Sequence, residues 1–350
     1  MHICRSGQIF ESGEQEVDMV VTIRDVAKRA GVAVSTVSKV INKYPSVSED
    51  TIARVNKAIE ELHFIPNSVA ASLSSKQSGR VAVITDPDGQ TLASSEIMMQ
   101  YIMGAVKAGN EARIDVIPLF FSMLKGMTVE EIEHILEVQN IRSIIMCGLD
   151  NDMDVLLDLV KREKFKNVLV DMPLTSENTS NIGVDHFQAQ KDILRKTITE
   201  NEGSSASVLY ISGRTNSYVT EERVRGAKEL AQELGYKLTV VDGGFSEKKA
   251  RDITLEYGRD HDIIACGSDL MAIGAMKALT DMNIFHPVCG FDGITLMGYT
   301  AKNMNTVKQN FMEIGEEALR ESCRLMTGET GRSIKVPYNL VHIRYEDVLA

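Results

Sequence analysis

Apolar positions recur along this chain with two different periods. Between residues 22 and 62 the spacing is helical, with Ile23, Val26, Ala27 and Ala30 followed by Val34, Val37, Val40 and Ile41, then by Ile52, Val55, Ile59 and Leu62. Residues three and four apart share one helix face, so three short helices converging on one small core are predicted. Thr22-Ile-Arg-Asp25 has the form of a capping box, which starts the first helix at Ile23. Gly31 ends it where a left-handed residue is needed, and Ala27, four residues earlier, lets two helices cross closely over the turn. Ser48 is the cap of the third helix, with Glu49 and Asp50 in its first turn.

From Arg80 onward the pattern changes. Short apolar runs rich in β-branched residues (RVAVIT, IDVIPLF, RSIIMC, NVLVDM, ASVLYIS, KLTVV and DIIAC) read as strands. Helical periodicity lies between them, over 127–139, 154–162, 187–199, 221–234 and 269–282. Repeated βα units of this size imply parallel sheets covered by helices on both faces. Ten or so strands exceed one comfortable sheet. Two doubly wound α/β subdomains are therefore expected, with a cleft beyond the carboxyl ends of their strands.

Charge divides along the same boundary. The chain of 350 residues carries a net charge of −11, yet residues 20–80 hold nine Lys and Arg against five Asp and Glu. A basic module joined to an acidic body hints at nucleic-acid contact at one end. No apolar run approaches the ~18 residues of a membrane span, and residues 1–19 lack the apolar core of a signal peptide. The five cysteines are scattered without a Cys-x-x-Cys pair, which fits reduced core thiols in a cytoplasmic protein.

The second helix carries short hydroxyl groups outward: Ser35, Thr36 and Ser38, with Lys39 beside them. Such side chains suit a helix lying in a DNA major groove, against bases and phosphates. With its continuation this region resembles the lactose/galactose repressor family of bacterial transcriptional regulators. The resemblance runs from Val21 to near the C-terminus and rests on VTIRDVAKRAGVAVSTVSKVIN, VSEDTIARV, IPNSVAASL, GSDLMAIGAMKAL, GFDG and NTVKQNF. It implies a helix-turn-helix headpiece over 20–66, a hinge helix and linker over 67–79, and a periplasmic-binding-protein-like effector domain over 80–346. Lobe one of that domain would be about 80–184 and 311–328, and lobe two about 185–310 and 329–346. Residues 1–19 match nothing in the family and are expected to be a disordered extension or a misassigned start, since MVVTIRDV from Met19 reads like a natural one.

The DNA-contacting residues implied are Thr22, Val34, Ser35, Thr36, Ser38, Lys39, Asn42 and Asn67, with Leu73 as an apolar wedge in the minor groove. Ala33 stands where the family usually has a serine that caps the second helix and meets phosphate. For the effector, Asp150, Asp185 and Asp292 each follow a predicted strand at its carboxyl end. Arg223 matches the family's effector-holding arginine, Asp292 its partner, and Phe245 the aromatic residue stacked on the effector ring. Ser268 and Asp269 start a helix at the cleft. Carboxylates accept hydrogen bonds from a sugar's hydroxyls while a guanidinium donates, and TDPDGQ after the first strand lacks the arginine of a sugar-phosphate grip, so an uncharged sugar is the expected ligand.

Catalytic signatures are absent: there is no Walker loop, no G-x-G-x-x-G after a strand, no H-E-x-x-H and no G-x-S-x-G. No enzyme activity, cofactor or metal is expected. The expectation is a cytoplasmic, homodimeric repressor of sugar-utilisation genes that binds a pseudo-palindromic operator and touches no membrane. YEDVLA at the end carries no leucine heptads of the kind that build the family's tetramers. The alternatives are a corepressor-dependent regulator that binds a sugar phosphate or a nucleobase, and an effector-independent DNA-binding protein.

Overall fold

A computed structural model describes residues 21–41, 47–62, 64, 79–85, 92–201, 207–299 and 304–343. The chain divides into two compact units, with the boundary between Ser78 and Gly79.

The first unit contains α1 (Ile23–Ala30), α2 (Val34–Ile41) and α3 (Glu49–Glu61). At the start of α1 the Asp25 carboxylate accepts from the Thr22 backbone N–H at 2.9 Å and from its hydroxyl at 2.6 Å. Gly31 closes the helix at φ +66°, donating its N–H to the Ala27 carbonyl. Val26, Val37 and Val55, one from each helix, are fully buried together, and Phe64 packs into the same core.

The second unit holds two sheets. Lobe one is built from β1 (Arg80–Thr85), α4 (Leu92–Ala112), β2 (Val116–Phe120), α5 (Phe121–Leu124), α6 (Val129–Val138), β3 (Ile141–Cys147), α7 (Asp154–Lys161), β4 (Lys166–Val170) and β5 (Thr179–Gly183). Lobe two follows with α8 (His186–Glu200), β6 (Ser207–Ser212), α9 (Tyr218–Leu234), β7 (Lys237–Asp242), α10 (Glu247–Tyr257), β8 (Ile263–Cys266), α11 (Asp269–Asp281), β9 (Val288–Asp292) and β10 (Met304–Gln309). The chain then returns through α12 (Phe311–Met326), β11 (Ser333–Lys335) and β12 (Tyr338–Ile343).

The first sheet has the order β11-β5-β4-β3-β1-β2 and the second β12-β10-β9-β8-β6-β7. The inner order is the same in both, and every neighbour is parallel except the β10–β12 pair. This is the doubly wound plan, whose ligands sit outside the strand carboxyl ends. One feature departs from the expected lobe limits. Residues 329–346 do not all join lobe two, because Ser333–Lys335 pairs with β5 in the first sheet before β12 pairs with β10 in the second. A three-residue edge strand carries too little periodicity to be assigned from pattern.

Helix α4 was not among the predicted helices, and α12 packs along it. Their crossing is close because glycines meet backbone. A Cβ at Gly104 would lie 2.0 Å from the Met312 carbonyl oxygen, and one at Gly315 would lie 2.3 Å from that of Tyr101. This reciprocal contact brings Tyr101 of α4 and Phe311 of α12 to the cleft edge to face, with centroids 5.4 Å apart.

Candidate functional site

In the first unit, α2 turns Val37 and Val40 into the core and leaves Val34, Ser35 and Lys39 exposed, with Thr36 and Ser38 half-buried beside them. Val34 is 42% exposed, a contact-sized apolar group in the first turn. Thr22 is held by Asp25 at the neighbouring helix start. Ala33 precedes α2 and offers only its carbonyl, which accepts from Thr36 and Val37. Asn42, Asn67 and Leu73 lie outside the described residues.

In the second unit a cavity of about 210 Å³ opens between the lobes. Lobe one supplies Ile97 and Tyr101 from α4, Asp150 after β3, Asp171 after β4, and Phe311. Lobe two supplies Arg214 after β6, Arg223 from α9, Phe245 after β7, Asp292 at the end of β9 and Gln309 at the end of β10. Four of the seven predicted effector residues, Asp150, Arg223, Phe245 and Asp292, are brought together here.

The centre of the cavity is a held guanidinium. Arg223 is buried, and its Nη1 donates to the Gly267 carbonyl at 2.5 Å. Its Cζ lies over the Phe291 ring, 3.6 Å from the ring centre, and Nη2 stands 3.6 Å from Asp292 Oδ1. Gln309 Nε2 donates to that same carboxylate oxygen at 3.0 Å. Burial pushes the Asp292 carboxyl up to about 6 against the opposing pull of Arg223 and Gln309. Oε1 of Gln309, buried on the cavity wall, has no partner among the described residues. An orphaned buried acceptor is costly until a local shift brings it a donor.

Three wall residues, Asp171, Phe245 and Asp292, hold positive φ values of 62°, 60° and 119°. Such conformations cost about 1–3 kcal/mol each outside glycine and cluster at ligand sites. Phe245 lies over Gly213, where any Cβ would meet the ring at 2.1 Å. That close approach lets the ring form a floor for the cavity.

The other three predicted effector residues do not line the cavity. Asp185 caps α8, accepting from Gln188 N–H at 3.0 Å, and Ser268 caps α11. Asp269 is fully buried behind the wall, where it accepts from the N–H groups of Gly293 and Ile294 and from the Thr306 hydroxyl. It shapes the turn that follows Asp292. A carboxylate or hydroxyl beside a strand end serves equally as a helix cap, and pattern cannot separate the two. Conversely Tyr101, Asp171, Arg214 and Gln309 went unpredicted. Gln309, with Phe311 at the end of the same NTVKQNF motif, lay where the resemblance could have marked it.

Residues 22–67 match the model of bacterial regulatory proteins, lacI family, and residues 202–342 match the periplasmic binding protein-like domain. The chain belongs to the lacI family of bacterial regulatory proteins. It is 26% identical over 320 residues to the HTH-type transcriptional regulator AscG of Escherichia coli, covering 88% of this chain and 92% of that one. The HTH-type transcriptional repressor PurR of Aliivibrio fischeri is 27% identical over 314 residues, covering 85% and 89%. In fold the chain is similar to the lac repressor dimer bound to operator and the anti-inducer ONPF, with a TM-score of 0.75, 21% identity, and coverage of 93% and 99%. This lacI-family member is thus a DNA-binding transcriptional regulator, and the relatives it matches are regulators rather than enzymes. Among the described residues no helix is long and apolar enough to cross a membrane.

Proposed function

We propose that this regulator is a cytoplasmic homodimeric repressor of sugar-utilisation genes, released from a pseudo-palindromic operator when an uncharged sugar closes the two lobes. The observation that carries the ligand class is the wall of the 210 Å³ cavity. Its carboxylates, Asp150, Asp171 and Asp292, outnumber its guanidiniums, Arg214 and Arg223, and these charges already pair with one another. A phosphate would meet net negative charge. A polyol can donate to Asp292 while accepting from Arg223. The volume lies below the about 300–1,000 Å³ of drug-sized pockets, so one small ligand fits. Ile97, Phe245 and Phe311 give the apolar faces that a sugar ring stacks on.

Dimerisation has its own support. Met99, Met103 and Val106, spaced along one face of α4, are 51%, 52% and 38% exposed. An apolar stripe of this kind marks a protein contact, and two headpieces match a two-fold operator. Thr22, Val34, Ser35, Thr36, Ser38, Lys39, Asn42 and Asn67 would meet the operator, with Leu73 at its centre.

The reading is tested by thermal shift and calorimetry against neutral sugars, sugar phosphates and nucleobases, followed by operator binding with each ligand found. Binding of a neutral sugar that lowers operator affinity supports it. Tightened operator binding by a phosphate or nucleobase would replace it with the corepressor reading.

A further inference from the structure

Arg223 is also gripped by a residue that does not line the cavity. Its Nε and Nη2 both point at Nδ1 of His186, each at 3.3 Å. A guanidinium has five donors and no acceptor, so His186 Nδ1 must present its lone pair. The ring proton therefore sits on Nε2, which donates to Asp171 Oδ1 at 2.8 Å. The tautomer follows from the chemistry of the partners. His186 is itself buried, and its ring leans on Phe291, the same ring that carries Arg223.

The two ends of this chain of hydrogen bonds belong to different lobes. Asp171 follows β4 of lobe one at φ +62°, in space that exists because Gly183 has no Cβ; one there would lie 2.2 Å from Asp171 Oδ1. His186 opens α8, which packs on α9 and β10 of lobe two.

We propose that His186, as the neutral Nε2–H tautomer, is a positioning residue that ties Arg223 to Asp171 across the lobe crossover and that releases this tie on protonation. A proton on Nδ1 would set a donor and a positive charge against the guanidinium, so the anchor would loosen in acid. The charged groups around the ring are Asp171 from lobe one, Arg223 and Glu222 from α9, Lys335 from β11, and Asp292 beyond Arg223. Burial, with Arg223 and Lys335 adding to it, holds the imidazole below its ordinary protonation range against the pull of Asp171. The role assigned to Arg223 rests on the cavity being the effector site, whereas the geometry of the tie does not.

The test uses full-length, ligand-free protein labelled with ¹⁵N at histidine and arginine, with His186 identified by its loss in a variant. The expected signal is an Nε2–H ring that stays neutral well below the ordinary histidine value of about 6.5. Arg223 Nε–H should exchange with solvent roughly tenfold slower in the wild type than in His186→Gln, the effect of one net hydrogen bond. Gln can reach Asp171 but lacks the acceptor at the Nδ1 position. His186→Asn, whose side-chain oxygen takes the place of Nδ1, should restore the slow exchange and remove its loss in acid. An Nδ1–H tautomer, protonation at or above 6.5, or equal Arg223 protection in both variants would overturn the proposal. If His186→Gln fails to fold, the wild-type tautomer and titration still decide. No ligand is present, so a wrong effector site would leave these signals unchanged and would show instead in the ligand screen.

Discussion

Arg214 of lobe two reaches Asp150 of lobe one across the cleft, with Nη2 2.9 Å from Oδ2. The flanking backbone joins in: Asn151 N–H donates to the Asn216 carbonyl at 3.1 Å, and Asn216 Nδ2 to Asp152 at 3.3 Å. On α4, Glu96 accepts from the Thr295 N–H and hydroxyl. These contacts exist only while the lobes are apposed, so they bias the lobe equilibrium itself.

Replacing Arg214 by Gln should therefore open the ligand-free cleft. The guanidinium is 57% exposed, so the pair is worth at most about 1 kcal/mol, a severalfold change in population. Interlobe distance measured by spin labels or small-angle scattering checks it, and an unchanged distribution would rule the clasp out. Asp150→Ala should in addition weaken the ligand and uncouple its binding from operator release.

The anchor should behave differently. Arg223→Ala strands the buried Asp292 carboxylate and takes away the guanidinium donor offered to the ligand, a charge-assisted hydrogen bond worth about 1.5–3 kcal/mol. Sugar binding measured by calorimetry should weaken by about ten- to a hundredfold while ligand-free operator affinity stays. A wild-type response would move the site elsewhere.

Stability should carry a pH signature of Asp292. Its folded-state carboxyl is raised from the usual range to about 6. A raised carboxyl favours the neutral form, so the folded state loses stability as pH rises through about 6 and pays nothing below the unfolded value of about 3.9. Asp292→Asn should gain melting temperature over the wild type at pH 8, with the gain fading toward pH 4. Constant difference across that range would contradict the buried, proton-favouring environment.

In the headpiece, Ala33→Ser should supply the cap that α2 lacks. A serine N-cap is worth about 1 kcal/mol over alanine, visible as a higher headpiece melting temperature. It should also tighten operator binding through a phosphate contact. Leu73→Ala should weaken operator binding by a few kcal/mol, the scale of kinking one base step, with little effect on non-specific DNA. Equal loss on both kinds of DNA would argue against a wedge.

Met103→Lys, placing a charge in the exposed stripe of α4, should raise the dimer dissociation constant at least tenfold, about 1.4 kcal/mol. Sedimentation equilibrium reads this directly. An unaffected dimer would place the interface on another face.

The headpiece was legible because its determinants are local. The Thr22–Asp25 box, the left-handed Gly31 and the three apolar stripes act within one or two helical turns, so their spacing along the chain is their spacing in space. The alternation of strands and helices was readable for the same reason, and with it the doubly wound plan. Arg223 and Asp292 were found through motifs. The rest of the cavity is made by residues that meet across long stretches of chain: Tyr101 beside Phe311, Arg214 on Asp150, and Gln309 on Asp292. Nothing around Arg214 or Asp171 in the chain distinguishes it from a solvated charge. Asp269 and Asp292 are both carboxylates at the ends of adjacent βα units, yet one is sealed behind a turn and the other faces the cavity. That difference arises from where the turn after β9 folds and which backbone N–H groups it presents. Packing between separate elements sets both, and periodicity within one element carries no record of it.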